Sequence, residues 1–182
     1  MPAARIVAMA LLELQELERK GIAIPWFRFS TNGSLPMVAD VSPLFRSQLR
    51  ALCSWLVTRG IPIHLPVESA GKAEFYRSIV GDIVTVRESL QDPTAHVTTQ
   101  GAVSWVAGAD IVGKDTFRRR IAAARSQAAE RYSATGRKTV VCPAIVASFL
   151  QRLGADRNEK TKCGSCNACA LQHIDVVYPK HK

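Results

Sequence analysis

Three cysteines fall in the run Cys163-Gly-Ser-Cys166-Asn-Ala-Cys169, and Cys142-Pro143 lies upstream of them. Two-residue spacers let successive sulfurs turn toward one metal ion, and the intervening Gly and Asn permit the tight turn. Four thiolates suit tetrahedral zinc. Three cysteines at this spacing, completed by a distant Cys-Pro, equally suit a 4Fe–4S cluster. Cys142, Cys163, Cys166 and Cys169 are therefore the expected ligands of one structural centre, zinc or iron–sulfur. The fifth cysteine, Cys53, sits on an apolar helical face and reads as core.

A second constellation gathers where apolar runs end. Arg28 and Asn32 follow the first such run, Glu68, Lys72, Glu74 and Arg77 flank the end of the second, and Arg87 and Glu88 follow the third. In open α/β sheets, sites form at the carboxyl ends of strands. Phosphodiester cleavage needs an activated water and a way to neutralise charge on phosphorus. Glu68 and Glu74 are expected to coordinate Mg²⁺ or orient that water, with Lys72 and Arg77 on the phosphate. Spacing leaves open whether Arg28 and Asn32, at the first strand end, reach the same phosphate. The alternative is a surface helix with an ordinary Glu74–Arg77 pair, worth about 0.2–0.5 kcal/mol.

The third feature is charge. The chain carries 24 Lys and Arg against 15 Asp and Glu, a formal +9. Residues 1–113 hold ten of each sign, so residues 114–182 carry the whole excess. Within it, Lys114, Arg118, Arg119, Arg120, Arg125 and Arg131 lie on one Ala/Arg-rich stretch, and Arg118, Arg125 and, more loosely, Arg131 fall near a common helical face. Such a face suits a phosphate track, which gives affinity without sequence specificity. A merely solvated helix face is the alternative. DNA is the expected partner.

The elements that must position these groups follow from periodicity and punctuation. Helices are expected over Pro2–Lys20, from Ser42-Pro43 to about Arg59, over Lys72–Ile79, over Lys114–Ala134, and from Pro143. Strands are expected at Ile22–Phe29, Ile61–Val67, Ile83–Val86, in one or two pieces over Ala95–Val106, and at Ile174–Tyr178. Thr31-Asn32-Gly33-Ser34 reads as a turn. Alternating strands and helices point to an α/β or α+β class with flanking helices and a Cys-rich C-terminal segment over 142–182.

Composition bounds the rest. At 182 residues, 47% hydrophobic and 21% charged, the chain has the material for one domain with a sizeable core. Collagen, coiled coil and wholesale disorder are excluded. The first apolar run, Ile6–Leu12, falls far short of the roughly 20 residues of a spanning helix, and no signal peptide is evident. An integral membrane protein is thus not expected. Close-set cysteines favour a reducing compartment, so the expected location is the cytoplasm, or the periphery of an inner membrane. There is no Walker loop, no GxGxxG after a strand and no nucleophile elbow.

Taken in succession, Trp26-Phe-Arg-Phe-Ser-Thr-Asn-Gly, His64-Leu-Pro-Val-Glu-Ser, Val84-Thr-Val-Arg-Glu-Ser, Cys142-Pro, the cysteine run and Val176-Val-Tyr-Pro-Lys-His resemble a family of small Cys-tailed plasmid and phage proteins. That family includes the oncogenic suppression (fertility-inhibition) proteins. The resemblance implies a ParB/sulfiredoxin-like mixed-sheet core across the whole chain. It also implies that the strand ends bearing Arg28 and Glu68 are neighbours. Functionally it implies a block on export of T-DNA or a conjugative plasmid through a type IV secretion system. DNase activity, an associated ATPase activity that would take ATP, and contact with the secretion coupling ATPase come with it. The groove segment of that superfamily is matched by Gly71-Lys72-Ala-Glu74-Phe-Tyr-Arg77. Adjacent arginines and a sulfiredoxin-type cysteine are missing there, which argues against a sulfinic-acid reductase. Two other readings remain open: a noncatalytic Cys-metal DNA-binding module, and a protein-only inhibitor of the coupling ATPase.

Overall fold

The computed structural model describes residues 3–29, 35–36, 38–99, 101–113, 115–152, 166, 168–171 and 173–180. Asn32 with its turn, Lys114 and Cys163 lie outside the described residues. Helices and parallel strands make up the fold, which is of α/β class. The chain divides into two compact units, Met1–Val86 and Arg87–Lys182.

In the first unit, helix α1 (Ala3–Arg19) packs on α2 (Pro43–Thr58). The start of α2 follows from its sequence: Ser42 Oγ accepts from the Phe45 amide at 3.1 Å, and Pro43 occupies the first turn, where its missing N–H costs nothing. Strand β1 (Phe27–Arg28) runs parallel to β2 (Ile63–Val67), with Arg28 opposite His64. The expected strand from Ile22 shrinks to two residues, because Pro25 cannot donate to a ladder. Ser69 Oγ caps α3 (Ala70–Val80), which ends at Gly81 with φ +64°. The core joins Phe45, Leu49, Leu52, Cys53 and Leu56 of α2 to Leu65, Val67, Tyr76 and Val86.

The second unit is built on a parallel sheet in the order β3-β4-β6-β5: β3 (Val86–Leu90), β4 (Val103–Ala107), β6 (Ile174–Pro179) and β5 (Lys138–Val141). Every strand pairing among the described residues is parallel, where a mixed sheet was expected. Helix α4 (Thr116–Thr135) ends at Gly136, whose φ of +68° suits glycine. Helix α5 (Pro143–Arg152) follows β5 at once. Two expectations shift. Ile83 belongs to a 3₁₀ turn, and β3 runs on through Arg87, Glu88 and Ser89. Ala95 lies in a 3₁₀ segment, Pro93–Val97, started by Asp92 accepting from the Thr94 amide at 2.8 Å.

Candidate functional site

The first unit brings part of the expected phosphoryl-transfer set together. Parallel pairing sets Arg28 opposite His64, with the Phe29 amide donating to His64 O at 3.0 Å, while β2 runs on to Val67, so β1 ends three residues short of the carboxyl end of β2. Beyond β2, Glu68 and Ser69 lead into α3, and the cap orients its first turn. Lys72 is 7% exposed. Its Nζ donates to Glu68 Oε2 at 2.8 Å and to Leu35 O at 2.9 Å, which commits two of its three donors. One turn on, the Tyr76 hydroxyl donates to Pro36 O at 3.0 Å. Burial first, and then the Glu68 charge, pushes the Tyr76 hydroxyl above its ordinary range.

The other members sit apart from that group. At 100° per residue, Glu74 lies about 200° round the helix from Lys72, and it is exposed. Arg77 is half-buried, its guanidinium 3.4 Å from Val86 O. Arg28 is exposed on β1. Among the described residues, no group of three or more His, Cys, Asp and Glu is arranged to hold a metal ion.

The basic helix divides in two. Arg118, Arg119 and Arg125 are exposed, and Ala122 and Ala129 are exposed beside them. Arg120 is half-buried and donates to Ile111 O at 3.0 Å and Lys180 O at 3.0 Å. Arg131 is wholly buried. It donates to Asp175 Oδ2 at 2.8 Å and to the carbonyls of His96, Thr99 and Gly101 at 2.6, 2.6 and 3.1 Å. No surface remains on it for a phosphate, so it does not belong with the exposed face. Asp175, also wholly buried, accepts from Arg137 Nε at 3.0 Å and from the Val103 amide at 3.0 Å.

The cysteines converge. Cys142, Cys166 and Cys169 pack in one cluster with Ala168, Ile174, Val176 and Tyr178. Cys142 stands between β5 and α5, its amide donating to Val177 O at 2.9 Å. Cys169 lies in a 3₁₀ turn, Ala168–Ala170, and its Sγ is 3.0 Å from the Tyr178 hydroxyl. Burial and the neighbouring Cys169 hold the Tyr178 hydroxyl well above its ordinary range. The turn is tied down by Arg87, which is wholly buried. Arg87 donates to Leu171 O at 2.9 Å, Cys169 O at 3.2 Å, Ala168 O at 3.4 Å and Val103 O at 2.8 Å. Burial lowers its guanidinium from the ordinary value, opposed first by Cys169. Cys142, Cys166 and Cys169 share this cluster without forming a group arranged to hold a metal ion.

Asp175, Tyr76 and Tyr178 escaped the sequence reading, and so did the burial of Arg87. The signal for two of them was present: Asp175 is a lone charge in the apolar run Ile174–Val177, and Arg87 follows Val84-Thr-Val86. Compared with protein-family models, curated proteins and solved structures, the chain matches none. Among the described residues, no helix is long and apolar enough to cross a membrane.

Proposed function

We propose that this chain is a plasmid fertility-inhibition factor of the oncogenic suppression kind, with a ParB/sulfiredoxin-like fold. In this reading it cleaves DNA destined for a type IV secretion system. The observation that carries the reading is the Lys72–Glu68 pair, Nζ to Oε2 at 2.8 Å, held where β2 passes into the first turn of α3. Displacement of Lys72 from Glu68 by a phosphate would free the carboxylate for Mg²⁺ or water, and the ammonium would follow the phosphate. DNA is held on the exposed Arg118, Arg119 and Arg125 of α4. The cysteines hold a structural zinc or 4Fe–4S centre that keeps their segment folded. ATP hydrolysis and contact with the coupling ATPase complete the role.

A second reading, the noncatalytic Cys-metal DNA-binding module, is favoured by one observation. Lys72 and Glu68 neutralise each other, while Glu74 lies on the opposite side of α3.

Purified chain incubated with plasmid DNA in Mg²⁺ or in EDTA separates the readings. Cleavage in Mg²⁺ alone, lost in Glu68→Gln with the gel shift retained, supports the nuclease. A shift without cleavage supports the module. Neither effect supports an inhibitor that docks on the coupling ATPase alone.

A further inference from the structure

Helix α1 buries one side and shows the other to solvent. Val7 and Leu14 are buried in the core of the first unit, with Leu11 partly buried beside them. On the opposite side the apolar pattern continues: Ile6 is 53% exposed, Met9 41% and Leu12 65%. At 100° per residue, Ile6 and Leu12 lie about 60° to either side of Met9, and Arg5 and Glu13 about 40° to either side. Both charged residues are exposed. The other acids of this helix are committed, Glu16 to Arg19 and Lys20 at 2.7 and 3.2 Å and Glu18 to Arg59 at 2.6 Å. Among the described residues neither Arg5 nor Glu13 has an ion pair. Eight residues of helical rise, about 12 Å, keep them from pairing with each other.

The run Arg5-Ile6-Val7-Ala8-Met9-Ala10-Leu11-Leu12-Glu13 is thus symmetric about Met9 in apolar character and antisymmetric in charge. A surface of that kind is complementary to its own copy turned end for end, as a twofold interface requires. We propose that the outer face of α1 is a self-association surface, and that its occupant is α1 of a second copy of this chain, packed antiparallel about a twofold axis at Met9. Met9 then meets Met9, Ile6 meets Leu12, and Arg5 meets Glu13 on both sides of the axis. Removal of the apolar side chains from water supplies the attraction. The two Arg5–Glu13 pairs set the register and disfavour the parallel arrangement, in which like charges would meet. Three apolar side chains per copy make a seam smaller than the roughly 1,200–2,000 Å² of a standard interface, so the association belongs to the weak, micromolar class. The inference is independent of the nuclease reading, because α1 carries none of its residues.

The test is sedimentation equilibrium of the full chain from about 5 to 500 µM, where a monomer–dimer equilibrium is expected. Met9→Glu sets two carboxylates face to face at the axis and is expected to weaken dimerisation about tenfold or more. Arg5→Glu alone and Glu13→Arg alone each oppose like charges at both pairs and are expected to weaken it about tenfold. Mixed one to one, these two single variants regain opposite charges at both pairs and are expected to associate as tightly as the wild type. All three positions face solvent, so far-UV spectra and urea midpoints should stay at wild-type values. A wild-type chain that remains monomeric to the highest concentration overturns the proposal. So does a dimer that keeps its affinity in Met9→Glu, or a mixture of the two folded single variants that associates no better than either alone.

Discussion

Replacing Arg131 by Met separates a structural guanidinium from a DNA-contacting one. In the folded chain its guanidinium bonds Asp175 and three backbone carbonyls, all out of water. Met fills part of the volume but leaves those carbonyls without their donor. Removing one partner of a buried ion pair costs about 3–5 kcal/mol, against a total stability of roughly 5–15 kcal/mol. With a urea slope of about 2 kcal/mol/M, the midpoint of the second unit should fall by roughly 1.5–2.5 M. Trp105 reports on that unit, since its indole donates to Gln127 of α4 at 2.8 Å and its ring stacks on His96. Trp26 and Trp55 are replaced by Phe to isolate its signal. Below the transition, DNA affinity should keep its wild-type salt slope. An unshifted midpoint together with a salt slope reduced by about 0.9 would refute this reasoning and return Arg131 to the phosphate track.

The remaining predictions concern the exposed arginines and the buried thiol of Cys53. Arg118→Gln with Arg125→Gln should flatten the dependence of log affinity on log salt by about two phosphate contacts, measured by fluorescence anisotropy; an unchanged slope would place DNA elsewhere. Burial pushes the Cys53 thiol from 9.0 up to about 12, so the folded state binds a proton the unfolded state releases. Its contribution is therefore fully present below pH 9 and declines as pH rises toward 12, by about 1.4 kcal/mol per unit. Urea midpoints at pH 8 and pH 10.5 should show the decline, and Cys53→Ala should reduce it; an identical pH slope in the variant would refute the assignment. Tyr76 adds to the same alkaline loss, its hydroxyl being raised in the folded state as well.

How far the residues announced this arrangement depends on whether their signals were local. Helix α2 was legible because Ser42-Pro43 is a cap and first-turn pair, and α3 and α4 end at Gly81 and Gly136. The Glu68–Lys72 neighbourhood was legible too, since it spans one cap. Arg87 and Arg131 were not. Each is an arginine beside other polar residues, and only partners distant in the chain, such as Asp175, show that it is interior. Pattern alone assigns such a side chain to the surface, because charge is rarely buried. The strand boundary at Val86 moved for the same reason: a buried Arg87 continues the ladder where a solvated one would have ended it.

Strand β6 comes after every other element of its unit, yet it lies between β4 and β5. During synthesis, β3, β4, α4 and β5 leave the ribosome before the strand that joins them exists. Asp175, which receives Arg131 of α4, arrives on that strand, and so does Tyr178 beside the Cys169 sulfur. The sheet of this unit is therefore completed only after Pro179 has been made, and until then Arg131 lacks its carboxylate. A polypeptide ending upstream of β6 keeps the contacts of α4 with β4 and β5 but leaves the Arg131 guanidinium without Asp175, and β4 and β5 without the strand between them.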